Sequence, residues 1–321
     1  MIRLALGVDL GGTNARAAVV DADSGEIVAA HKQPLRDRTP ERVVEVIRQV
    51  VQDAAAAAGA PLRSFRLAGV GVAGQCLGAT GLVMNAPNLG WRDVPVGDLL
   101  AKALGIPVLV ANDLSVAAWG ERRFGAARGV DDVVLVFVGS GVGSGLILGG
   151  RLHSGATGVA GEFGHVKVRP TRPETKVRRC GCGEWSCLEA YTSGMNVAAR
   201  VREDVEAGCA AKVSALAGGD LARVTASVVD EAWSSGDPYA RGLWEEVGDL
   251  LGTSIANLVT LLNPARLVLG GGVLLGAPNL AAIVRRFLDE RTSRSAAKAL
   301  TVERAWLGDD AGVIGAAVLE P

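Results

Sequence analysis

The stretch GVDLGGTN, residues 7–14, decides how the rest of the chain is read. An apolar run, LALGVDL, carries Asp9 near its end and passes into Gly11, Gly12, Thr13 and Asn14, after which ARAAVVDA resumes the apolar pattern. Strand, glycine turn and strand follow one another with no room for a helix. Glycines without a Cβ let backbone N–H groups converge on an anion, and the hydroxyl of Thr13 and the amide of Asn14 add donors. A carboxylate beside phosphates is useful when a cation lies between them, so Asp9 points to a nearby Mg²⁺. A third strand, EIVAAHK, follows the turn residues DSG and completes an antiparallel meander.

Beyond the meander, TPERVVEVIRQVVQDAAAAAG predicts a helix. Thr39 is placed to cap it, Pro40 to enter its first turn, and Val43, Val44, Ile47, Val50 and Val51 to form its apolar face. FRLAGVGVAG and PVLVAND are apolar runs of strand length, and SVAAWGERRFGAA predicts a helix after the second. The opening pattern then recurs. VVLVFVGSGVGSGLILGG gives strand, glycine turn and strand again, with Gly139, Ser140, Gly141, Gly143 and Gly145 at its centre. Helices are expected around Gly194–Ala207 and Asp237–Leu262. RLVLGGG is a strand ending on Gly270, Gly271 and Gly272, and LTVERAWLGDDAGVIGAAVLE predicts a last strand and helix.

A dinucleotide fingerprint needs a helix directly after its glycines, and LILGG is strand-like instead; no Gly-Lys-Ser/Thr of a P-loop occurs. Two glycine hairpins, each opening an α/β half and facing a cleft, form the arrangement of the actin-like ATP-binding fold. The expected architecture is therefore α/β, two-domain and actin-like. Residues 1–113 with 302–321 would make a small N-terminal domain, and 114–301 a large C-terminal one. Gly11, Gly12, Thr13, Asn14, Gly139, Ser140, Gly141, Gly271 and Gly272 are the candidate ATP contacts.

In PVLVANDLSVAAWG, Asn112 and Asp113 end a strand just before a helix, where either residue serves as an ordinary cap. The functional reading makes Asp113 the acceptor of a hydroxyl proton and Asn112 an orienting group for the same substrate. Phosphoryl transfer has a loose transition state, so its base need not be strong.

With 321 residues, 49% hydrophobic and 21% charged, the chain has material for two cored domains. Its net charge of −1 offers no footprint for nucleic acid or an anionic membrane. Asp9 interrupts the N-terminus before a signal-peptide core can form. Val133–Gly150 and Leu267–Val284 carry no charge but are broken by glycine, and the second by Pro278; buried strands and their turns are the expected reading, and a cytoplasmic location follows.

Three of five cysteines fall in CGCGEWSCLE, residues 180–189. An odd count in a cytoplasmic chain argues against a disulfide framework. Cys180, Cys182 and Cys187 gather three thiolates, and of His31, His153 and His165 the last is the best fourth ligand for a closed structural Zn²⁺. His31 and His153 read as structural, and Cys76 and Cys209 as packing residues. Zinc would tie the segment carrying Glu162 and His165, read as a strand, to the one carrying Glu189. The two carboxylates would then be fixed as acceptors for vicinal hydroxyls, in which sugars are dense.

These residues resemble the ROK family of sugar kinases, and within it the bacterial glucokinase-like members, across nearly the whole chain. DLGGTN resembles the family's first phosphate motif, AND its catalytic motif, and GSGVGSG with AGEFGH its signature. CGCGEWSCLE is similar to the zinc consensus Cys-x-Cys-Gly-x-x-Gly-Cys-x-Glu except that Ser186 stands where glycine is usual. GVAGQ has Ala73 where the family has proline, and the loop between His165 and Cys180 is longer than usual. NAPNLGW matches, which adds Asn88 as a sugar ligand. The resemblance implies the actin-like/hexokinase-like (ribonuclease H-like) fold and an ATP- and Mg²⁺-dependent hexose kinase acting on the 6-hydroxyl, with glucose first. Asp113 would be the base, and Asn88, Asn112, Glu162, His165 and Glu189 would hold hydroxyls, with His165 also on zinc. Closure of the two halves would exclude water. A homodimer or homotetramer is implied as well. Kinases for fructose, allose, mannose, N-acetylglucosamine or N-acetylmannosamine share these ligands, and polyphosphate is an alternative donor. Sugar-responsive repressors of the family carry a further DNA-binding domain, for which a phosphate motif beginning at Gly7 leaves no space. A non-catalytic actin-like ATPase would have no use for a second, hydroxyl-binding set.

Overall fold

The computed structural model describes residues 3–78 and 80–320. In chain order its first part holds β1 (Leu4–Leu10), β2 (Asn14–Asp21), β3 (Ile27–Pro34), α1 (Pro40–Ala57), β4 (Ala68–Val72), β5 (Gln75–Leu77), β6 (Leu82–Ala86), β7 (Trp91–Val94), α2 (Val96–Leu104), β8 (Val108–Asn112) and α3 (Asp113–Phe124). The middle follows with β9 (Val133–Val138), β10 (Val142–Leu148), β11 (Arg151–Leu152), α4 (Glu189–Thr192), α5 (Gly194–Glu206), α6 (Ala211–Leu216), α7 (Ala226–Ser234) and α8 (Pro238–Leu262). The last part is β12 (Arg266–Gly270), α9 (Gly272–Gly276), α10 (Pro278–Arg291), α11 (Arg294–Ala297), β13 (Thr301–Arg304) and α12 (Ala311–Ala317).

Two five-stranded sheets share one plan, with orders β3-β2-β1-β4-β8 and β11-β10-β9-β12-β13. In the first, β1 runs antiparallel to β2 and β2 to β3, as the meander required, while β1–β4 and β4–β8 are parallel. Gly7 and Asp9 of β1 therefore lie beside Gly69 and Gly71 of β4, and Val72 beside Asn112. This register brings the C-terminal ends of β1, β4 and β8 to one edge, where their loops carry polar residues. A small antiparallel sheet, β5-β6-β7, was not expected from the sequence.

The chain forms two compact units. One comprises the chain up to Val133, Gly145–Gly161 and everything from Ala305 onward; the other comprises Val134–Ser144 and Glu162–Arg304. In the first, Val43, Ile47, Val50 and Val51 of α1 are buried against the sheet, as their spacing dictates, and Val44 is partly buried beside them. Pro40 does enter α1 at its start, but Thr39 makes no side-chain cap bond. The opposite face is covered by α12. A Cβ on Gly69 would lie 1.8 Å from the Ala316 carbonyl oxygen, so only glycine admits the helix at that distance. The same applies where α12 crosses α3, because a Cβ on Gly315 would lie 1.7 Å from the Val116 oxygen.

In the second unit the 25-residue α8 buries Leu243, Trp244, Val247, Leu251 and Ile255 and packs on α10. The expectation of strands and turns across Leu267–Val284 is corrected: after β12 the segment is helical, because Pro278 sits at the first turn of α10 rather than in a bend. No helix among the described residues is long and apolar enough to cross a membrane.

Candidate active site

The first unit gathers one group of the predicted residues. The β1–β2 turn is closed by Gly11 N–H donating to the Asn14 carbonyl at 3.1 Å, and Asn14 Nδ2 donates to the exposed Thr13 Oγ1 at 3.0 Å. Gly12 lies against the turn that carries Asn88, where a Cβ would come within 2.7 Å of the Asn88 Cβ. The glycine turn and the exposed Asn88 are thus neighbours. Asp9, one residue before the end of β1, lies opposite α12, at a distance where a Cβ on Gly312 would be 3.4 Å from its carboxyl carbon. Burial pushes the Asp9 carboxyl above its ordinary range. Arg16 and Lys32 pull it back, and Asp309 adds to the rise. A carboxylate in this state gains from a cation placed beside it.

Asn112 and Asp113 combine the two roles the sequence left open. Asn112 Oδ1 accepts the N–H groups of Leu114 at 2.9 Å and Ser115 at 3.1 Å, so it is the cap of α3. Its Nδ2 donates to the Gly74 carbonyl at 3.1 Å and to Asp113 Oδ1 at 2.9 Å. Asp113 Oδ1 also accepts from Leu114 N–H at 2.9 Å. The cap therefore fixes the carboxylate, and both ends of the Asn112 amide are engaged within the protein. At the neighbouring departure from the family pattern, Ala73 N–H donates to the Leu10 carbonyl at 3.1 Å, a bond that proline cannot make.

The second unit gathers the others. Glu189 opens α4, and its Oε2 accepts the Val142 N–H at 2.9 Å. The carboxylate touches the glycine turn, since a Cβ on Gly141 would lie 2.7 Å from Oε2. Glu162 precedes a 3₁₀ turn, Phe163–His165, in place of the expected strand. The turn follows from Gly161, with φ +92°, and from Gly164, where a Cβ would be 2.1 Å from the Val142 oxygen. His165 Nε2 lies 3.5 Å from Glu162 Oε2, while its Nδ1 faces the Cys180 Sγ at 3.9 Å.

His165, Cys180, Cys182 and Cys187 form the four-residue cluster the spacing called for, with all ligand atoms within 4.8 Å of one another. Cys182 and Cys187 Sγ are 3.7 Å apart. Two thiolates on a tetrahedral Zn²⁺, with Zn–S bonds of about 2.3 Å, stand roughly that far from each other. Burial, with help from the Cys182 thiol and the Glu189 carboxylate, pushes the Cys180 thiol up to about 12. Burial works against Cys182 too, but hydrogen bonds from the Glu184 backbone and the flanking cysteines, with the charge of Lys167, bring it below its usual value. Lys167 Nζ donates to Cys187 Sγ at 3.1 Å. Three thiols, an imidazole and a neighbouring ammonium fit a thiolate-rich divalent ion. Ser186, in place of glycine, has φ +60°.

Gly271, with φ +92°, is pressed on Val138, while Gly272 is exposed and opens on empty space. Gly194 joins them, its N–H donating to the Gly139 carbonyl at 2.8 Å. The sequence reading missed Gly194, although a Ser-Gly pair ahead of an amphipathic helix marks a start whose first turn something approaches closely. It missed Gly312 as well, for which the glycine spacing in DDAGVIGAAV was the available sign. His31 on β3 pairs with Asp53 at 3.5 Å and His153 is exposed after β11, both apart from the cluster. Cys76 is buried as expected, but Cys209 is exposed and packs no core. A groove of about 390 Å³ between Phe163–Thr171 and α8 holds none of the predicted side chains.

Residues 5–321 match the ROK family. The chain is 33% identical over 322 residues to a glucokinase of Streptomyces coelicolor, covering 98% of this chain and 97% of that protein. Among solved structures it is similar to a ROK family glucokinase from Streptomyces griseus in complex with glucose and AMPPNP, at 34% identity and TM-score 0.79 over 98% of both chains. A ROK hexokinase from Thermus thermophilus also has TM-score 0.79, at 31% identity over 98% of this chain and 97% of its own.

Proposed function

Since the chain belongs to the ROK family, we infer that it is a sugar kinase that transfers the γ-phosphoryl group of ATP to the 6-hydroxyl of a hexose, with glucose the leading substrate. The observation that carries this reading is the likeness, over almost the entire chain, to a glucokinase holding glucose and an ATP analogue. The residues are consistent with the chemistry. Asp113 is the general base: as the 6-oxygen attacks the γ-phosphorus and the bond to ADP breaks, the hydroxyl proton passes to the Asp113 carboxylate. The Asn112 amide holds that carboxylate at 2.9 Å, so its orientation is set before substrate arrives. Asn88, Glu162, His165 and Glu189 hold the remaining hydroxyls. Asn112 serves that task by orienting Asp113.

Gly11, Gly12, Thr13 and Asn14 receive phosphates, with Gly139, Ser140, Gly141, Gly271 and Gly272 as the further nucleotide contacts. Asp9 is the carboxylate that would hold Mg²⁺, which supplies charge neutralisation on the phosphates when bound. His165, Cys180, Cys182 and Cys187 would hold Zn²⁺ as a structural staple with no open position. A cytoplasmic location goes with this reading, where ATP is at hand and thiols stay reduced.

The test is ADP release with Mg-ATP across a panel of hexoses and N-acetylhexosamines, repeated with polyphosphate as donor. Glucose with ATP should give the highest kcat/KM. If no sugar raises ADP release above the sugar-free rate, the kinase reading fails.

A further inference from the structure

Glu121 lies on α3, two turns beyond Asp113, and is fully buried. It has no ion pair among the described residues. Its Oε1 accepts the N–H groups of Trp306 and Leu307, each at 2.8 Å, and its Oε2 accepts the Ala126 N–H at 2.8 Å. Gly125 makes room for it, since a Cβ there would lie 2.0 Å from Oε2. A carboxylate without a cation in such a place is costly unless its lone pairs are met, and three backbone donors meet them here. One of these donors, on Ala126, belongs to the turn after α3, and the other two, on Trp306 and Leu307, to the start of the segment leading into α12. That segment carries Asp310, which pairs with Arg16 at 2.6 Å, and the Asp309 carbonyl, which accepts from the same guanidinium at 3.4 Å. Arg16 is the cross-strand neighbour of Asp9. A continuous path of contacts thus runs from the helix that begins at Asp113, through Glu121 and Trp306–Asp310, to Arg16 and Asp9. Where α3 and α12 cross, Gly120 and Gly315 bring the two backbones together.

We propose that Glu121 is a positioning residue for the nucleotide side of the reaction. By fastening Trp306 and Leu307 to α3, it sets Asp310 and Arg16, and through them the geometry in which Asp9 meets Mg-ATP. The inference rests on the kinase reading for its meaning, but its measurement is equilibrium binding and does not need turnover. Glu121→Gln replaces one acceptor oxygen by an NH₂ that faces a backbone N–H. Titration with Mg-AMPPNP should show binding about tenfold weaker, the order expected for one lost charge-assisted hydrogen bond. Glucose affinity should stay unchanged. Glu246→Gln is the comparison: that carboxylate is also buried, bonded to Arg200 and Thr175 at 2.8 Å each, but lies in the other unit. It should lower the melting temperature and leave Mg-AMPPNP binding alone. If Glu121→Gln lowers only the melting temperature, its role is structural and the proposal is overturned. Should that variant fail to fold, Asp310→Asn tests the exposed end of the same path, with about tenfold weaker Mg-AMPPNP binding expected; unchanged binding overturns the proposal. Wild-type protein that binds Mg-AMPPNP yet phosphorylates no sugar would sink the kinase reading and leave this one standing.

Discussion

The Asn112–Asp113 corner and the Glu162–Glu189 region hold carboxylates by different means. At the first, the register of three parallel strands delivers Asn112 to a sheet edge, and the helix cap it forms orients Asp113 through one side-chain bond. Every part of that is backbone geometry plus one amide. At the second, Glu162 and Glu189 sit on a 3₁₀ turn and a four-residue helix, flanked by loop, with three thiols and His165 between them. Regular structure needs no cofactor to stay in place, whereas an irregular loop with converging thiols does. The two regions should therefore answer differently to the same perturbations.

The largest difference is expected for Asp113→Asn. General-base catalysis is worth about 10²–10⁴-fold, and kcat should fall by that much while the dissociation constant for glucose, read by equilibrium titration, barely moves. Loss of glucose binding instead would mean that the corner binds sugar without acting on it.

Cys182→Ala sharpens the contrast from the other side. Opening the cluster should remove the metal, read by elemental analysis, and weaken glucose binding by about 10–100-fold, the range over which metal-site support is lost on mutation. Mg-AMPPNP binding should be untouched. An equal loss of both ligands would show that the two regions are not independent.

Asp9→Asn comes next. Burial raises the Asp9 carboxyl above its usual range, so the folded protein disfavours its charge, and the stability this group contributes when protonated is lost as pH rises through the raised value. At neutral pH the variant, measured without ligand, should melt higher than wild type. The gap should close below the ordinary carboxylate range, where Asp9 is protonated in both the folded and unfolded states. Mg-AMPPNP binding should weaken at the same time. A lower melting point at neutral pH would contradict a balance in which burial outweighs Arg16 and Lys32.

The smallest effect belongs to Ser186→Gly. Ser186 adopts φ +60°, where a Cβ is unfavourable, and glycine should stabilise the protein by about 0.5–1 kcal/mol after its own unfolded-state cost. Denaturant titration measures it.

The same contrast explains how far the sequence could be read. The hairpins around Gly11–Asn14 and Gly139–Gly141, the apolar face of α1 and the ANDLS corner were legible because strand alternation, glycine turns and caps are local signals. Ser186 was legible as a departure, and the structure gives it the left-handed backbone that a glycine would occupy without strain. The β5–β7 sheet was not legible, since its strands are three to five residues long and their pairing is decided by neighbours. The turn at Phe163–His165 read as a strand because what bends it is the approach of Val142 to Gly164, twenty-two positions away in sequence. Glu121 left no sign at all. Two of its three backbone donors lie 185 and 186 residues downstream, and nothing around a glutamate on a helix foretells that it will be buried against them.

The central claim is transfer to a sugar's 6-hydroxyl, and the position of the phosphate on the product tests it most directly. With Mg-ATP and glucose, two-dimensional ¹H–³¹P NMR should show a single product whose phosphorus couples to the two protons on carbon 6, and 6-deoxyglucose should release no ADP above the sugar-free rate. Phosphate on the anomeric oxygen, or ADP release with 6-deoxyglucose matching that with glucose, would contradict it.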